Sequence, residues 1–126
     1  MTTWAAVAAG GAIGSMARHL VNRWGQTRWM GATIPVGTAT ANLTGCFIIG
    51  LLAGLLASNR IVLPSSWREF VFVGLLGGFT TFSSFGLETF VLGRASAGDA
   101  ALNVMVHVVG GLLAVWVGYQ IGLAGR

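Results

Sequence analysis

GGFTTFSSFGLETF, running from Gly77 to Phe90, interrupts an apolar stretch with two adjacent glycines and the hydroxyls of Thr80, Thr81, Ser83 and Ser84. Phenylalanine recurs at every third position, as Phe79, Phe82 and Phe85. Glycine weakens a helix, and polar groups in lipid must find partners inside the protein. The stretch therefore reads as a membrane helix that breaks at Gly77-Gly78, near its middle.

The surrounding chain supports a membrane setting. Of 126 residues, 55% are apolar and 8% charged, whereas a soluble domain carries about a quarter charged. Apolar runs near twenty residues mark membrane spans, and four are read here: 4–21, 34–57, 70–92 and 100–123. They predict an all-α integral membrane protein, one four-helix transmembrane domain over residues 1–126. Pro35 falls in the first turn of the second span, where a missing N–H costs nothing. Ser66 and Glu69 have capping-box spacing for the third span, and Asp99 can cap the fourth. Trp4, Trp24, Trp29 and Trp67 lie near span ends, as interfacial tryptophans do. No A-x-A-like cleavage site follows the first span, so no signal peptide is expected.

Twenty glycines are about twice the usual share. Each span holds a GxxxG pair: Gly10/Gly14, Gly50/Gly54, Gly74/Gly78 and Gly118/Gly122. Such pairs let helices approach closely, although this glycine density would produce several by chance. The lone cysteine, Cys46, builds no intrachain disulfide and reads as a small packing residue. Lysine is absent and the seven arginines are scattered. Without a basic stripe interleaved with aromatics, nucleic-acid binding is not expected.

Arginine balance governs orientation in the membrane. With four spans, Arg60, Arg68 and Arg126 share one side, and Arg23, Arg28 and Arg94 the other, joined by Arg18 if it is counted. Neither side wins. Either other factors orient the protein, or both orientations insert and pair antiparallel. Four short helices cannot both enclose and cover a substrate path, which favours an oligomer. In an antiparallel pair only mid-depth residues meet their own copies, and the third span is centred near Thr81.

The spans carry several polar groups. Thr38, Thr40, Asn42 and Thr44 lie in the second, Glu88 in the third, and Asn103 with His107, one turn apart, in the fourth. They serve either as glue between helices or as the lining of a hydrated path. Carbonyls converging at the break would suit a small cation. The hydroxyls of Thr80, Thr81, Ser83 and Ser84 would suit an anion, helped by the electropositive ring edges of Phe82 and Phe85. Two separated histidines make no convincing metal site, and no catalytic triad, paired carboxylates or phosphate loop is present.

These residues resemble a known family. GGFTTFSSF is similar to the third-helix signature of the Fluc (CrcB) fluoride channels, and GTATANLTGCFIIG to their second-helix pattern, with its asparagine at Asn42. GGAIGSMARH resembles the family's first helix, with its arginine at Arg18, and VVGGLLAVWVG fits the fourth. The resemblance implies an antiparallel dual-topology homodimer in the bacterial inner membrane, exporting fluoride passively through two pores and giving fluoride resistance. It implies a structural sodium ion held by backbone carbonyls of Gly77 and Thr80. Asn42, Phe82 and Phe85 would line the anion pathway, with Ser83, Ser84 and Thr40 beside them and Glu88 further along. Where the family carries tyrosine and serine on the fourth helix, this chain has Asn103 and His107.

Two other functions remain open. A small multidrug-resistance-type exporter is also a four-helix dual-topology dimer, but it needs a deeply embedded acid, and WAAVAAGGAIGSMA contains none. A non-transporting assembly subunit would use its polar groups only to hold helices together.

Overall fold

The computed structural model describes residues 2–124, so Arg126, one of the arginines in the charge balance, lies outside the described residues. Among the described residues four helices follow one another: α1 (Thr3–Arg28), α2 (Val36–Ala57), α3 (Ser65–Ala95) and α4 (Ala97–Leu123). Among the described residues there are no strands. α2, α3 and α4 are long and apolar enough to cross a membrane, which makes this a multi-pass membrane protein. α1 falls short in composition and not in length. Its 26 residues reach about 39 Å at about 1.5 Å per residue, but Arg18, His19, Arg23 and Arg28 occupy its second half.

Several boundaries differ from expectation. α1 continues to Arg28 instead of ending near 21; Arg23, Gln26 and Arg28 favour a helix, and Gly25 lets it pack against Gly37 of α2. Pro35 stands just before α2 as its cap residue, not in its first turn. α3 begins at Ser65 after Pro64 with no side-chain cap, so the Ser66/Glu69 box does not form. The cap of α4 is Ser96, whose hydroxyl accepts the Asp99 N–H at 3.2 Å. Asp99 is therefore the capped residue and not the cap. The expected GRASAGD loop shrinks to Ser96 alone. α2 closes at Asn59, whose φ of 56° is left-handed and tolerated by asparagine. Beside it the Ser58 hydroxyl donates to the Gly122 carbonyl at 3.1 Å, tying the ends of α2 and α4 together.

All four GxxxG pairs work, and they work as two facing sets. Gly10 and Gly14 on α1 oppose Gly74 and Gly78 on α3. A Cβ on Gly10 would meet the Leu75 nitrogen at 2.8 Å, and one on Gly78 the Gly11 carbonyl oxygen at 2.7 Å. Gly50 and Gly54 on α2 oppose Gly118 and Gly122 on α4, where a Cβ on Gly118 would meet the Leu51 nitrogen at 2.8 Å. Backbone touches backbone in both seams, so dispersion contacts replace the hydrophobic drive that lipid does not supply.

α3 is not one regular helix. Glu69–Leu76 has the wider π turn, and α4 repeats this at Val106–Gly110, a feature often found where function distorts a helix. The break lies at Thr80 (φ −88°, ψ 158°) and Thr81 (φ −150°, ψ 119°). It does not fall at Gly77-Gly78: Gly77 is helical (φ −63°, ψ −38°) and the turn holds through Phe79. Gly78 serves the seam with α1 instead. Before the break α3 lies along α1, and beyond it the helix turns to α4. The break is the crossover between the two halves.

Candidate functional site

The break is held from α2. Helical hydrogen bonding stops with the Thr80 N–H donating to the Leu76 carbonyl at 3.0 Å. The next N–H, of Thr81, donates to Asn42 Oδ1 at 2.7 Å, and Asn42 Nδ2 donates back to the Thr81 carbonyl at 3.0 Å. One side-chain amide thus replaces both helix partners of Thr81, which is buried. Thr81 then caps the outgoing helical segment, its hydroxyl oxygen accepting the Ser84 N–H at 3.2 Å. Ser83 and Ser84 close this cluster, their hydroxyl oxygens 3.3 and 3.1 Å from that of Thr81.

These bonds free two carbonyls. In a continuous helix the Thr81 N–H would serve the Gly77 carbonyl, and the Ser84 N–H that of Thr80. Both donors are diverted. Gly77 is exposed, so its carbonyl end of the helix stands open on the face where the break occurs.

A cavity of about 350 Å³ opens at this point, lined by Asn42, Gly77, Thr80, Thr81, Phe82, Phe85 and His107 among others. Phe82 and Phe85 pair with ring centroids 5.4 Å apart, tilted by 58°. Their settings differ: Phe82 is 81% exposed and Phe85 8%. The His107 ring covers Phe85 at 4.6 Å and 33°.

Asn103 stands behind this wall and is fully buried. Its Nδ2 donates to the Thr89 hydroxyl at 2.9 Å, and Thr89 donates to the Phe85 carbonyl at 2.7 Å. Because the only hydroxyl hydrogen of Thr89 goes to a carbonyl, its oxygen must accept from Asn103. Asn103 therefore supports Phe85 and does not line the cavity.

Glu88 belongs to a second cavity, of about 390 Å³, at the junction of α1 and α2. Its Oε1 accepts the Thr38 hydroxyl at 2.6 Å. Glu88 Oε2 and Asn22 Oδ1, both buried, have no partner among the described residues, and both residues line that cavity. Arg18 and Thr40 line neither cavity. The expected residues thus divide: Asn42, Phe82, Phe85 and His107 meet at the break with Gly77 and Thr80, whereas Glu88 lies apart in the second cavity. Reasoning from sequence missed Asn22, hidden because α1 runs on, and Thr89, one turn beyond Phe85. It named Thr38 without its carboxylate partner. No cluster of His, Cys, Asp or Glu among the described residues could hold a metal, so a cation here would depend on carbonyls.

The chain matches the family model described as "CrcB-like protein, Camphor Resistance (CrcB)" over residues 5–119. It is 43% identical over 116 residues to a protein of Methylobacillus flagellatus named fluoride-specific ion channel FluC, covering 91% of this chain and 90% of that one. A protein of the same name from Nitrobacter winogradskyi is 48% identical over 113 residues, covering 86% and 88%. One from Rhodospirillum rubrum, again of that name, is 41% identical over 119 residues, covering 93% and 92%.

Proposed function

The chain belongs to the CrcB family, a family of ion channels and not of enzymes, and from this we propose that it is a fluoride-selective channel. It carries fluoride passively out of the cell across the bacterial inner membrane and so confers fluoride resistance. The observation that bears most on this reading is the Asn42-held break at Thr80–Thr81, opening into a cavity faced by Phe82 and Phe85. A small, strongly hydrated anion needs dense replacement of its water, and hydroxyls, an uncommitted amide N–H and ring edges supply it along a narrow path.

In this reading the working unit is an antiparallel homodimer with two pores, and α1 is the fourth span. Half a channel suits the exposure of Gly77 and Phe82, which stand uncovered in one chain near the middle of α3. A sodium ion fits the same place. The Gly77 and Thr80 carbonyls, both deprived of helix donors, would hold it, and it would supply positive charge to bind the two copies together. Ser83 and Ser84, clustered with the Thr81 hydroxyl, belong to the polar track, and Glu88 with Thr38 to a vestibule.

The deciding experiment is efflux from liposomes. Purified protein is expected to release loaded fluoride without a proton gradient while chloride stays inside. Release no faster than from protein-free vesicles would sink the channel and favour an assembly subunit; proton-coupled export of organic cations would favour the exporter.

Topology gives a second test. C-terminal reporters on wild-type chains are expected to read both sides of the membrane in one population. Two or three lysines added to one side should lock a single orientation, because charge within about 15–20 residues of span ends sets insertion. A wild-type population of one orientation excludes the antiparallel dimer.

A further inference from the structure

His107 stands in the wall of the cavity at the break, and the chain fixes which of its ring nitrogens carries hydrogen. Nδ1 lies 2.9 Å from the backbone carbonyl oxygen of Asn103, one turn back. A carbonyl only accepts, so Nδ1 is the donor. In a neutral imidazole the other nitrogen then holds a bare lone pair. That nitrogen, Nε2, is buried and has no partner among the described residues. The stacked ring of Phe85, itself buried, opposes a flip of the imidazole, and a flip would also break the bond to Asn103.

Neutral His107 therefore presents a bare acceptor at Nε2. The imidazolium offers a charged N–H in the same place. We propose that His107 Nε2 is a contact for the permeating anion that works only in the imidazolium form, so that fluoride passage rises as His107 takes up a proton. The proposal rests on the channel reading of this cavity.

Few ionisable groups face the ring. Glu88, three residues after Phe85 on α3, is held by the Thr38 hydroxyl in the second cavity. Cys46 lines the same cavity from α2. On α4 itself Asp99 lies in the first turn and Tyr119 near the far end. α1 makes no extensive contact with the Val106–Gly110 turn, and among the described residues no arginine lines the cavity.

The test is fluoride efflux from liposomes holding the full chain, between pH 5.5 and 8. Protein-free vesicles are subtracted, because hydrogen fluoride crosses lipid unaided. Histidine is the side chain that changes charge between about pH 5 and 8, and a rise in flux of about tenfold from the alkaline to the acid end is expected. His107→Gln carries an amide N–H at every pH and should give a flat profile. His19→Gln, on the exposed face of α1, should keep the wild-type one. Nitrogen NMR of histidine-labelled protein should find neutral His107 with its hydrogen on Nδ1, and Nε2 taking up a proton in step with the flux. A flat wild-type profile with fluoride still passing overturns the proposal, as does a rise that survives His107→Gln or a neutral Nε2–H tautomer. No fluoride flux at any pH overturns the channel reading, and this inference with it.

Discussion

Asn42→Asp is expected to abolish fluoride efflux and to lower the stability of the fold by roughly 2–4 kcal/mol, as buried groups left facing wrong partners do. The Oδ1 position can still accept the Thr81 N–H, but the Nδ2 position becomes an oxygen set 3.0 Å from the Thr81 carbonyl. Two acceptors then face each other at the buried Thr81 backbone. From sequence alone this variant looks harmless to folding, since it keeps size and shape. The two bonds to Thr81 reverse that expectation. Thermal unfolding in detergent measures it: an unchanged midpoint with lost flux would place Asn42 on the ion and not on the break.

Phe82→Ile and Phe85→Met are expected to cut fluoride flux about tenfold or more, in keeping with the loss of an aromatic contact worth up to about 1.5 kcal/mol. Their effects on stability should separate. Phe82 is 81% exposed, so its replacement should leave the unfolding midpoint of the single chain unchanged. Phe85 is buried against His107, and the change to methionine should cost under about 1.5 kcal/mol, as volume-conserving swaps do. Size-exclusion chromatography beside the efflux assay keeps loss of assembly apart from loss of conduction. Normal efflux from both variants would return the two rings to packing.

The sequence made the four helices legible because their apolar runs are long, and it pointed to a break because glycine and hydroxyl residues cluster in α3. It misplaced the break by three residues. Gly77 and Gly78 mark local weakness, but the position is set by Asn42, 39 residues upstream, and no local pattern carries that contact. The glycine pairs show the opposite case. Their spacing alone could not be told from chance, yet each of the four meets another helix backbone. The second cavity was legible only in pieces: Thr38 and Glu88 are 50 residues apart, and Asn22 lies just past the span read as 4–21. Asn103 and His107, one turn apart and read as facing one path, part company in the fold: His107 lines the cavity and Asn103 bonds Thr89 behind it. The π turn at Val106–Gly110 leaves no recognisable mark in the residues.

The break also has a consequence for how the protein is made. The segment beyond it, Phe82–Ala95, has 14 residues, about 21 Å at about 1.5 Å each, well short of the roughly 30 Å of a bilayer core. α3 crosses lipid only when the backbone of Thr81 is matched, and its partner sits on α2. Vectorial synthesis delivers that partner first, because Asn42 precedes Thr81 in the chain. With Ser96 alone between them, α3 and α4 must then enter as one hairpin. The choice of which way to face is made once for that pair, against a template that the earlier helices provide.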